Sequence, residues 1–530
     1  MPFRLPNPII YFNKERYIYI KVDVQSVMAP ITSNLSSEIT FKLKYTSKWL
    51  KTTTQFVLLF FMFILLGCNN SQDPESPEEE IDPDNEIVDL ENVALTYRNQ
   101  CGGCHGQDLA SFVERDWTYG NSVEDVIESI TNGYSGNGMP AYGSTLSAQE
   151  IEVLTNYILT EIDGKTKAML EEDNPDLSGL ITSDDLNFRL ETITDKIPGI
   201  PWGIEQLPNG EILVTERGGG LFLVSTDKQL TEITGVPTVA SQGQGGLLDV
   251  LIHPDFENNS FVYLSYSRVN PNNSSERTTA VARAKLEGNN LVQVENIFTA
   301  LPYLNSSHHY GSRLEFDNNG YLYVSVGDRG NRDVYPQELD NSLGKIHRIH
   351  DDGQVPTDNP FYNTAGAVNS IFTYGTRNPQ GMSLHPETGA VWEGEHGPQG
   401  GDEINILAEG NNNGWPVISY GINYDGTTFT DLTALDGMEQ PIYYWTPSIA
   451  PCGMTFVSSD FYGNWKNDLF VGSLKFEYLH RLKMNGNEVI GHETLLDGIG
   501  RVRDAHMGID GYLYIAVEGP GRLLRLVPEQ

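Results

Sequence analysis

The chain has 530 residues and a formal net charge of −37 at pH 7, with 39% hydrophobic and 20% charged residues. Such an acidic chain excludes binding to nucleic acid or to anionic lipid through charge, because both ligands carry the same sign. The chain is too long to fold around one small hydrophobic core, which predicts two or more domains. Each of the four cysteines has its own interpretation below, so no disulfide framework is predicted.

Residues 1–67 have the features of a lipoprotein-type signal preceded by an extended N-terminus. Three lysines between residues 44 and 51 lead into an apolar run at residues 56–66, which ends in Leu65-Leu66-Gly67-Cys68. The run is shorter than the roughly 20 residues that span a bilayer, and a genuine membrane anchor is the alternative. In the lipoprotein interpretation, translation starts downstream of the first residue and cleavage leaves Cys68 lipidated. Its acyl chains then hold the protein to the bacterial cell envelope, facing the periplasm or the cell surface.

Residues 68–87 are predicted to be an acidic tether. The stretch is polar and contains Asp73-Pro74-Glu75, Glu78-Glu79-Glu80 and Asp82-Pro83-Asp84. It has too little apolar surface to bury, so it is expected to stay solvated.

Residues 88–162 show helical periodicity around a five-residue motif. Apolar residues recur at helical spacing between residues 123 and 130, and Ser147-Ala148-Gln149-Glu150 forms a capping box before a second apolar face. The motif is Cys101-Gly102-Gly103-Cys104-His105, and a C-x-x-C-H run is typical of covalent attachment of haem c.

In this interpretation Cys101 and Cys104 bind the haem vinyl groups, and His105 ligates the iron from one side. Met139, in a Gly-rich loop, is the candidate for the second axial ligand, and His/Met ligation raises the reduction potential. A zinc site would need more Cys or His nearby, and none follows until His253. A redox C-x-x-C would need a βαβ setting, whereas this pair follows a helical pattern.

With a helix on each side of the motif and a Met loop between them, residues 88–162 are similar to the small class I cytochromes c. The resemblance covers 75 residues and implies a small all-α domain. The polar stretch that follows, residues 163–185, contains Glu171-Glu172-Asp173-Asn174-Pro175 and is predicted to be an interdomain linker.

From residue 186 to residue 530, short β-rich runs replace the helical spacing, and four of six such runs follow a turn that contains glycine. The six are Ile212-Leu213-Val214, Phe261-Val262-Tyr263-Leu264, Leu322-Tyr323-Val324-Ser325-Val326, Ala390-Val391-Trp392, Leu469-Phe470-Val471 and Leu513-Tyr514-Ile515-Ala516-Val517. Recurrence at roughly 45 to 80 residues matches propeller blades of four strands, and one run per blade predicts an all-β six-bladed β-propeller. A β-sandwich is the alternative, but the near copies Gly320-Tyr321-Leu322-Tyr323 and Gly511-Tyr512-Leu513-Tyr514 favour repeats.

Several polar clusters stand out within this β-rich part of the chain. They are His308-His309, Arg377-Asn378, the stretch from Glu395 to Asn405, Lys475, and the pair Arg501 and Arg503. Asp402 and Glu403 lie among glycines, whose backbone carbonyls are open to calcium. Arginines at i and i+2 on a strand point to the same face. Singly, each cluster is equally typical of a solvated or structural role, but together at blade tops they predict a cationic pocket for a polyanionic ligand.

The region from about residue 190 to residue 527 resembles the soluble PQQ-dependent sugar dehydrogenases of the glucose/sorbosone dehydrogenase family. The matching segments follow in the family's order along most of the domain. They include Gly243-Gln244-Gly245-Gly246, His253-Pro254-Asp255-Phe256, Arg377-Asn378-Pro379-Gln380-Gly381, Asp402-Glu403-Ile404-Asn405, Asn413-Gly414-Trp415-Pro416, Ser473-Leu474-Lys475 and Arg501-Val502-Arg503-Asp504. Glu395-His396-Gly397-Pro398 and Gly421-Ile422-Asn423-Tyr424 are more similar to the broad-specificity aldose dehydrogenase branch than to the glucose branch.

The resemblance implies the catalytic residues. His309 matches the general base that removes the proton of the anomeric hydroxyl while hydride leaves C1. Gln244 matches a residue that holds the sugar, and Arg377 and Asn378 match groups beside the quinone oxygens. His308 stands where the glucose branch has an acidic partner of the base, so the group that orients His309 is left open.

The resemblance also implies PQQ and calcium as cofactors. Lys475, Arg501 and Arg503 match partners of the PQQ carboxylates and oxygens. The backbone carbonyls of Gly397 and Pro398 match ligands of the calcium that polarises the quinone.

Two further positions concern the cofactor region. Glu403 matches a ligand of a second, structural calcium, but Asn413 replaces a Tyr that the family associates with that site. Cys452 lies in a cofactor-side segment, and we favour a buried small residue over a reactive thiol.

Together these features predict a membrane-anchored quinohaemoprotein. Its propeller would oxidise an aldose sugar to the lactone and reduce PQQ, and electrons would pass to haem c and on to a downstream acceptor. One alternative is a calcium-dependent propeller lactonase, which needs neither the cationic cluster nor a haem. The other is a non-catalytic electron-transfer protein whose propeller only binds sugar, which does not need His309.

Overall fold

The structure is a computed structural model. It describes residues 9–13, 17–23 and 38–44, most of 93–163, and all of 177–529. Within 93–163 the gaps fall at 95, 98–99, 102–104, 106–108, 110–111, 114–116, 135–138, 140 and 144. The predicted signal run at 56–66, Cys68, the predicted acidic tether and Cys104 therefore lie outside the described residues.

The chain divides into two compact units, Met1–Glu86 and Ile87–Gln530. The first unit contains one antiparallel sheet of three strands in the order β1-β2-β3. The strands are β1 (Ile9–Asn13), β2 (Tyr17–Asp23) and β3 (Glu38–Lys44). Among the described residues, no helix combines the length and the apolar character needed to cross a bilayer.

Two capped helices organise the helical domain that begins the second unit. They are α1 (Val123–Asn132) and α2 (Ala148–Ile162). Each begins with a capping box, Ser122 with Asp125 and Ser147 with Glu150, so the box predicted at Ser147 is confirmed. One core joins both helices to the segments beside the C-x-x-C-H motif. Its buried residues are Val93, Tyr97, Leu109, Val126, Ile130, Tyr142, Ile151, Leu154 and Ile158.

The rest of the second unit is a ring of six antiparallel sheets. Sheet one consists of β6 (Pro201–Gln206), β7 (Ile212–Glu216), β8 (Leu221–Val224) and β9 (Leu230–Ile233). Sheet two consists of β10 (Leu247–Ile252), β11 (Phe261–Asn270), β12 (Asn273–Glu287) and β13 (Asn290–Thr299), with a short helix α3 (Phe256–Asn259) between its first two strands. Sheet three consists of β14 (Leu314–Phe316), β15 (Leu322–Val326), β16 (Lys345–Ile349) and β17 (Ile371–Tyr374).

The remaining blades complete the ring. Sheet four consists of β18 (Pro379–Leu384), β19 (Val391–Glu395), β20 (Asp402–Ile406) and β21 (Tyr443–Trp445). Sheet five consists of β22 (Pro451–Phe456), β23 (Leu469–Ser473), β24 (Leu479–Asn485) and β25 (Glu488–Leu495), with a 3-10 helix at Asp460–Trp465. Sheet six combines β26 (Val502–Met507), β27 (Leu513–Val517) and β28 (Gly521–Pro528) with two earlier strands, β5 (Asn187–Ile197) and β4 (Ile181–Thr182).

The ring is closed by strands from its two ends. Strand β28 pairs antiparallel with β5 in a register that puts Leu526 opposite Leu190, and β4 extends the same sheet. The last part of the predicted linker therefore lies on the propeller. Asp185 binds Arg481 Nη1 at 2.8 Å, and Leu177 packs against the core of the last two blades.

The hydrophobic cores lie between neighbouring blades. For example, Leu213 and Leu221 of the first blade pack with Val250 and Leu264 of the second. Innermost strands of successive blades contact each other around the full ring, from β6 through β26 and back to β6. The all-β six-bladed propeller preceded by a small helical domain is thus confirmed.

One end of the ring collects two kinds of connection. Because neighbouring strands are antiparallel, the link from an outermost strand to the next innermost strand ends on the same side as the turn between second and third strands. The polar clusters found in the sequence fall in these connections. Loops on one end of a rigid scaffold are where sites are commonly built.

Candidate active site

The structure brings the predicted propeller residues to that one end of the ring. Gln244 precedes β10, His309 precedes β14, and Arg377 and Asn378 precede β18. The other predicted residues are Arg501 just before β26, Arg503 in β26, Lys475 after β23, Gly397 and Pro398 between β19 and β20, and Glu403 in β20.

His309 is oriented by Asp328, which follows strand β15. Nδ1 of His309 lies 2.6 Å from Asp328 Oδ1, and the side chain of Asp328 is 1% exposed. Burial alone would raise the pKa of Asp328, but His309 and Arg377 outweigh it and lower that pKa to about 2. Because the carboxylate can then only accept, Nδ1 of His309 carries the proton and Nε2 keeps a free lone pair.

The backbone of His309 is fixed as well. Its φ of 54° lies in the left-handed region that non-glycine residues rarely adopt. Its backbone N–H donates to Gln244 Oε1 at 2.7 Å, which ties the expected base to the expected sugar-holding residue. The loop is held from a third side, because Asn378 Oδ1 accepts from the backbone N–H of Gly311 at 3.1 Å.

The two adjacent histidines are not equivalent. Burial, then repulsion from Arg377, lowers the pKa of His309 below its usual value near 6.5, so the ring is neutral at pH 7. Burial and neighbouring His309 lower the pKa of His308 further, to about 3. His308 packs edge-on against His309, with 4.8 Å between ring centroids, and makes no ion pair with an acid in the described structure. The orienting group is therefore Asp328 and not the residue at position 308.

Arg377 connects the histidine pair to the next blade. Its Nη1 donates to the backbone oxygen of His396 at 3.0 Å, and its backbone N–H donates to the Glu395 carboxylate. Its own carbonyl accepts from the backbone N–H of Asp328 at 2.8 Å. A backbone hydrogen bond therefore joins Arg377, the expected charge-stabilising residue, to Asp328, the acid that orients the base.

Cationic side chains extend from the fourth blade, past His396, to the last blade. We call this set the cationic wall: Arg377, Arg501 and Arg503. Burial, then repulsion from Arg377 and Arg503, lowers the pKa of His396 well below its usual value. His396 Nε2 is buried and has no hydrogen-bond partner within the described residues. A buried nitrogen without a partner is suited to a polar ligand.

Arg501 and Arg503 converge on one carboxylate, as expected for side chains two residues apart on a strand. Glu518 Oε2 lies 3.3 Å from Arg501 Nε, and its other oxygen pairs with Arg503. Burial alone would raise the pKa of Glu518, but Arg503, Arg501 and Arg217 lower it to about 2. Arg501 Nη1 also donates to Leu474 O at 3.1 Å, which brings it beside Lys475.

Cys452 lies behind this wall as a buried small residue. Its thiol is fully buried, its Sγ lies 3.4 Å from Gln380 Oε1, and burial raises its pKa. A thiol that stays protonated is a poor nucleophile, so the favoured interpretation agrees with its surroundings.

The Gly397–Pro398 turn has the features of a carbonyl-lined cation loop. A Cβ on Gly397 would lie 2.3 Å from Gly400 O, so no larger residue fits there. The turn is anchored by Asp402, whose Oδ1 accepts from Gly397 N at 2.7 Å and whose Oδ2 accepts from Ile449 N at 2.7 Å. Asp402 is thus a support for the loop, and a hard cation such as calcium would be bound by backbone carbonyls.

The region of the expected second calcium contains three buried glutamates. Glu395 pairs across the strands with Glu403, and burial raises the pKa of Glu403 well above its usual range and that of Glu395 to about 7. Glu393 accepts from Asn413 Nδ2 at 3.2 Å, while its Oε2 is buried without a hydrogen-bond partner among the described residues. No three His, Cys, Asp or Glu side chains of the described structure converge as a metal site. A calcium at Glu403 would therefore draw on backbone or amide oxygens too.

The predicted haem residues that the structure describes share one small domain. Cys101 N donates to Tyr97 O at 2.8 Å and His105 N to Cys101 O at 3.0 Å, and both hydrogen bonds have the spacing of an α-helix. Cys101 and Met139 both pack against the core of the helical domain, and the His105 ring stacks on Phe112 with centroids 4.8 Å apart. An apolar core bordered by Cys, His and Met side chains suits a haem c.

Sequence reasoning missed several residues of the site. Both acids come after a buried second strand of a blade: Asp328 follows β15 after one glycine, and Glu518 follows β27 directly. For Asp328, the pair Gly327-Asp328 after an apolar run was the only local signal. Trp415 was part of a matched segment without a role. Its Nε1 donates to Asp328 Oδ2 at 2.9 Å.

Comparison with known proteins agrees with this geometry. Residues 199–525 match the Glucose / Sorbosone dehydrogenase family, and residues 88–158 match Cytochrome C oxidase, cbb3-type, subunit III. Aldose sugar dehydrogenase YliI from Escherichia coli is 39% identical over 358 residues, which cover 66% of this chain and 96% of that protein. Quinoprotein glucose dehydrogenase B from Acinetobacter calcoaceticus is 31% identical over 264 residues, covering 44% and 52%. A crystal structure of glucose dehydrogenase has a TM-score of 0.62 at 40% identity, covering 64% of this chain and 99% of that one.

Fold and site together define a propeller oxidoreductase fused to a cytochrome c domain. The chain belongs to the glucose/sorbosone dehydrogenase family. The recognition made from the sequence motifs is confirmed.

Proposed function

We propose that the protein is a PQQ-dependent aldose dehydrogenase that passes electrons from its propeller to its own haem c. The observation that carries the proposal is the His309–Asp328 pair, whose buried acid contacts Arg377 of the neighbouring blade. The family supports sugar oxidation, and the C-x-x-C-H motif in the same chain supports a one-electron acceptor.

The residues of the pocket fit PQQ and calcium. Arg377, Arg503 and Lys475 are buried cations that suit carboxylates and quinone oxygens, and the Gly397–Pro398 turn suits a calcium beside them. Among the described residues His396 Nε2 is buried without a partner, and the backbone oxygen of His396 accepts from one of these cations, Arg377. When bound, PQQ would supply the acceptor for the hydride that leaves C1 of the sugar.

Residues of the chain itself would accept the proton of the anomeric hydroxyl. Nε2 of neutral His309 accepts the proton of the anomeric hydroxyl, because Nδ1 is committed to Asp328. The Asp328 carboxylate stabilises the imidazolium that forms, in the way a buried acid supports the base of a hydrolase triad. Gln244 fixes the His309 backbone, and the family resemblance makes it the candidate that holds a sugar hydroxyl. Arg377 is placed beside the developing negative charge.

The alternatives make different demands on the same residues. A lactonase would have no use for the arginines around Glu518 or for a haem motif. A non-catalytic sugar-binding protein would not need a buried acid that fixes one tautomer of His309. The geometry favours the dehydrogenase.

The test uses the full-length protein prepared without PQQ. PQQ, calcium, an aldose and a dye acceptor are added in turn, and dye reduction and haem reduction are followed by absorbance. We expect both to require PQQ and sugar together. Lactone hydrolysis without PQQ would support the lactonase, and sugar binding without dye or haem reduction would support the binding protein.

We also propose that Cys68 carries a lipid anchor that holds the protein to the bacterial cell envelope. The support is the sequence alone: lysines, a short apolar run and Leu65-Leu66-Gly67-Cys68. Labelling with a radioactive fatty acid should mark the wild type and not Cys68→Ala. Equal labelling of the two would exclude this anchor.

A further inference from the structure

A partly exposed aromatic pair lies on the cytochrome domain. The rings of Tyr119 and Tyr134 stack with centroids 3.6 Å apart and an interplanar angle of 8°. Tyr119 is 43% exposed and Tyr134 is half-buried. Two other tyrosines of this domain, Tyr97 and Tyr142, are buried in its core. We call Tyr119 and Tyr134 the tyrosine patch.

The tyrosine patch lies directly beside the candidate iron ligand. Tyr134 N donates to Met139 O at 2.8 Å, and Met139 N donates to Tyr134 O at 3.1 Å. This isolated β-bridge joins the stacked rings to the residue expected as the second axial ligand of the iron. The tyrosine patch is therefore the surface next to that expected ligand.

The cytochrome domain is strongly acidic. Residues 88–162 contain eleven Asp and Glu, two Arg and no Lys. Three of these acids belong to α1: Glu124 and Glu128 are exposed, and Asp125 caps the helix at Ser122. The Asp125 carboxylate also lies beside Gly120, because a Cβ built there would be 2.2 Å from Asp125 Oδ2. Glu128 precedes Ser129, whose hydroxyl lies 3.4 Å from the Tyr134 hydroxyl, so this acid is next in the chain to a residue that contacts the patch. An acidic surface attracts a partner of opposite charge.

We propose that the tyrosine patch is the docking surface for a basic one-electron redox protein. At each encounter one electron leaves the cytochrome domain and one electron enters the partner, with no bond made or broken. Two such encounters balance one two-electron sugar oxidation. The proposal rests on the haem c of the proposed function and adds the chemistry of its acceptor. Contacts of this kind are small and transient, and electrostatic attraction sets their rate.

The kinetic test uses the full-length protein with its haem reduced by ascorbate, so that neither sugar nor PQQ is involved. The probe is a basic cytochrome c, and its reduction is followed by stopped flow at increasing salt. We expect the second-order rate constant to fall steeply with ionic strength. Glu128→Lys should lower it about tenfold at low salt. Glu152→Lys is the matched control, because it makes the same charge change at an exposed position of α2.

A binding measurement separates docking from electron transfer. Zinc-substituted basic cytochrome c, which accepts no electron from the haem, is titrated calorimetrically into the full-length protein. We expect weaker binding by Tyr119→Ser and by Glu128→Lys, with Glu152→Lys close to wild type. Rates insensitive to salt, or equal losses in Glu128→Lys and Glu152→Lys, would overturn the docking surface. A purified chain with no covalent haem spectrum would instead overturn the haem part of the proposed function, and this inference with it.

Discussion

Trp415 holds Asp328 in place: its indole Nε1 donates a 2.9 Å hydrogen bond to Oδ2 of a carboxylate that is 1% exposed. The other oxygen of that carboxylate accepts from His309. Trp415 also packs edge-on against Phe429, whose ring lies under the guanidinium of Arg332. The expected base is thus connected through one acid and one indole to the long loop between β20 and β21.

The first prediction concerns this indole. Trp415→Phe keeps an aromatic ring but removes the donor to a buried anion, which costs about 1.5–3 kcal/mol. We expect kcat/KM for the aldose to fall roughly 10- to 100-fold, with covalent haem unchanged. Trp465→Phe is the control, because Trp465 is fully buried and its Nε1 has no hydrogen-bond partner in the described structure. Equal losses in both variants would show a packing effect only.

The second prediction concerns the base. His309→Ala should lower turnover by roughly 10²- to 10⁴-fold, because no other neutral imidazole is held by an acid in the described site. PQQ should still bind, which fluorescence titration of the apoprotein can measure. Normal turnover by this variant would assign the proton transfer to another residue, with His308 the nearest candidate.

The third prediction is a pH dependence. The pKa of His309 is lowered from 6.5, and the base works only when neutral. Activity should therefore be lost as pH falls through the pKa of His309, which lies below 6.5. Above that pKa activity should be at its maximum. In Asp328→Asn the imidazolium loses its anionic partner, so the acid limb of the kcat/KM profile should move lower still while the maximum falls. An acid limb above 6.5 in the wild type would contradict this assignment.

The fourth prediction concerns the haem. Met139→Ala should keep haem covalently attached, because attachment depends on Cys101 and Cys104, but should lose the low-spin His/Met spectrum. Its reduction potential should fall. Absorbance and a redox titration measure both, and an unchanged spectrum would show that another group occupies the sixth position.

The fifth prediction concerns transfer between the domains. A chain that carries both redox centres holds them at an effective concentration on the order of millimolar. Reduction of the haem by sugar in PQQ-loaded protein should therefore have a rate constant that does not change with enzyme concentration. Stopped flow at several concentrations is the measurement. A rate constant that rises in proportion to enzyme would mean that one molecule reduces the haem of another.

The fold could be predicted because the second strand of each blade is largely buried. The six apolar runs chosen from the sequence are β7, β11, β15, β19, β23 and β27, the second strand of every sheet. Such strands are covered on both faces by neighbouring blades, so they read as continuous apolar runs. Outer strands are half exposed, as in β9 and β25, and carry no comparable signal.

The site was only partly predictable for a different reason. The sequence identified three arginines because they belong to segments that match the family in order: Arg377, Arg501 and Arg503. Asp328, by contrast, has the same local sequence features as any acid in a turn after a strand. What distinguishes it is the pairing with His309, nineteen residues away, and with Trp415, eighty-seven residues away. The last residues of the predicted linker gave no β-signal for a similar reason. Strand β4 forms there through its pairing with β5, which the local sequence does not show.

The pairing of β28 with β5 sets the order of events during synthesis. These strands are more than 300 residues apart in the chain, so the ring cannot close until its last residues have left the ribosome. The cytochrome domain takes its core from residues 93–158 and precedes the propeller in the chain, so it can fold before the ring closes. Until closure, β5 is an open edge that other chains can pair with. A chain cut short before β28 should therefore give a haem-bearing but aggregation-prone product, so haem incorporation alone is no measure of a finished enzyme.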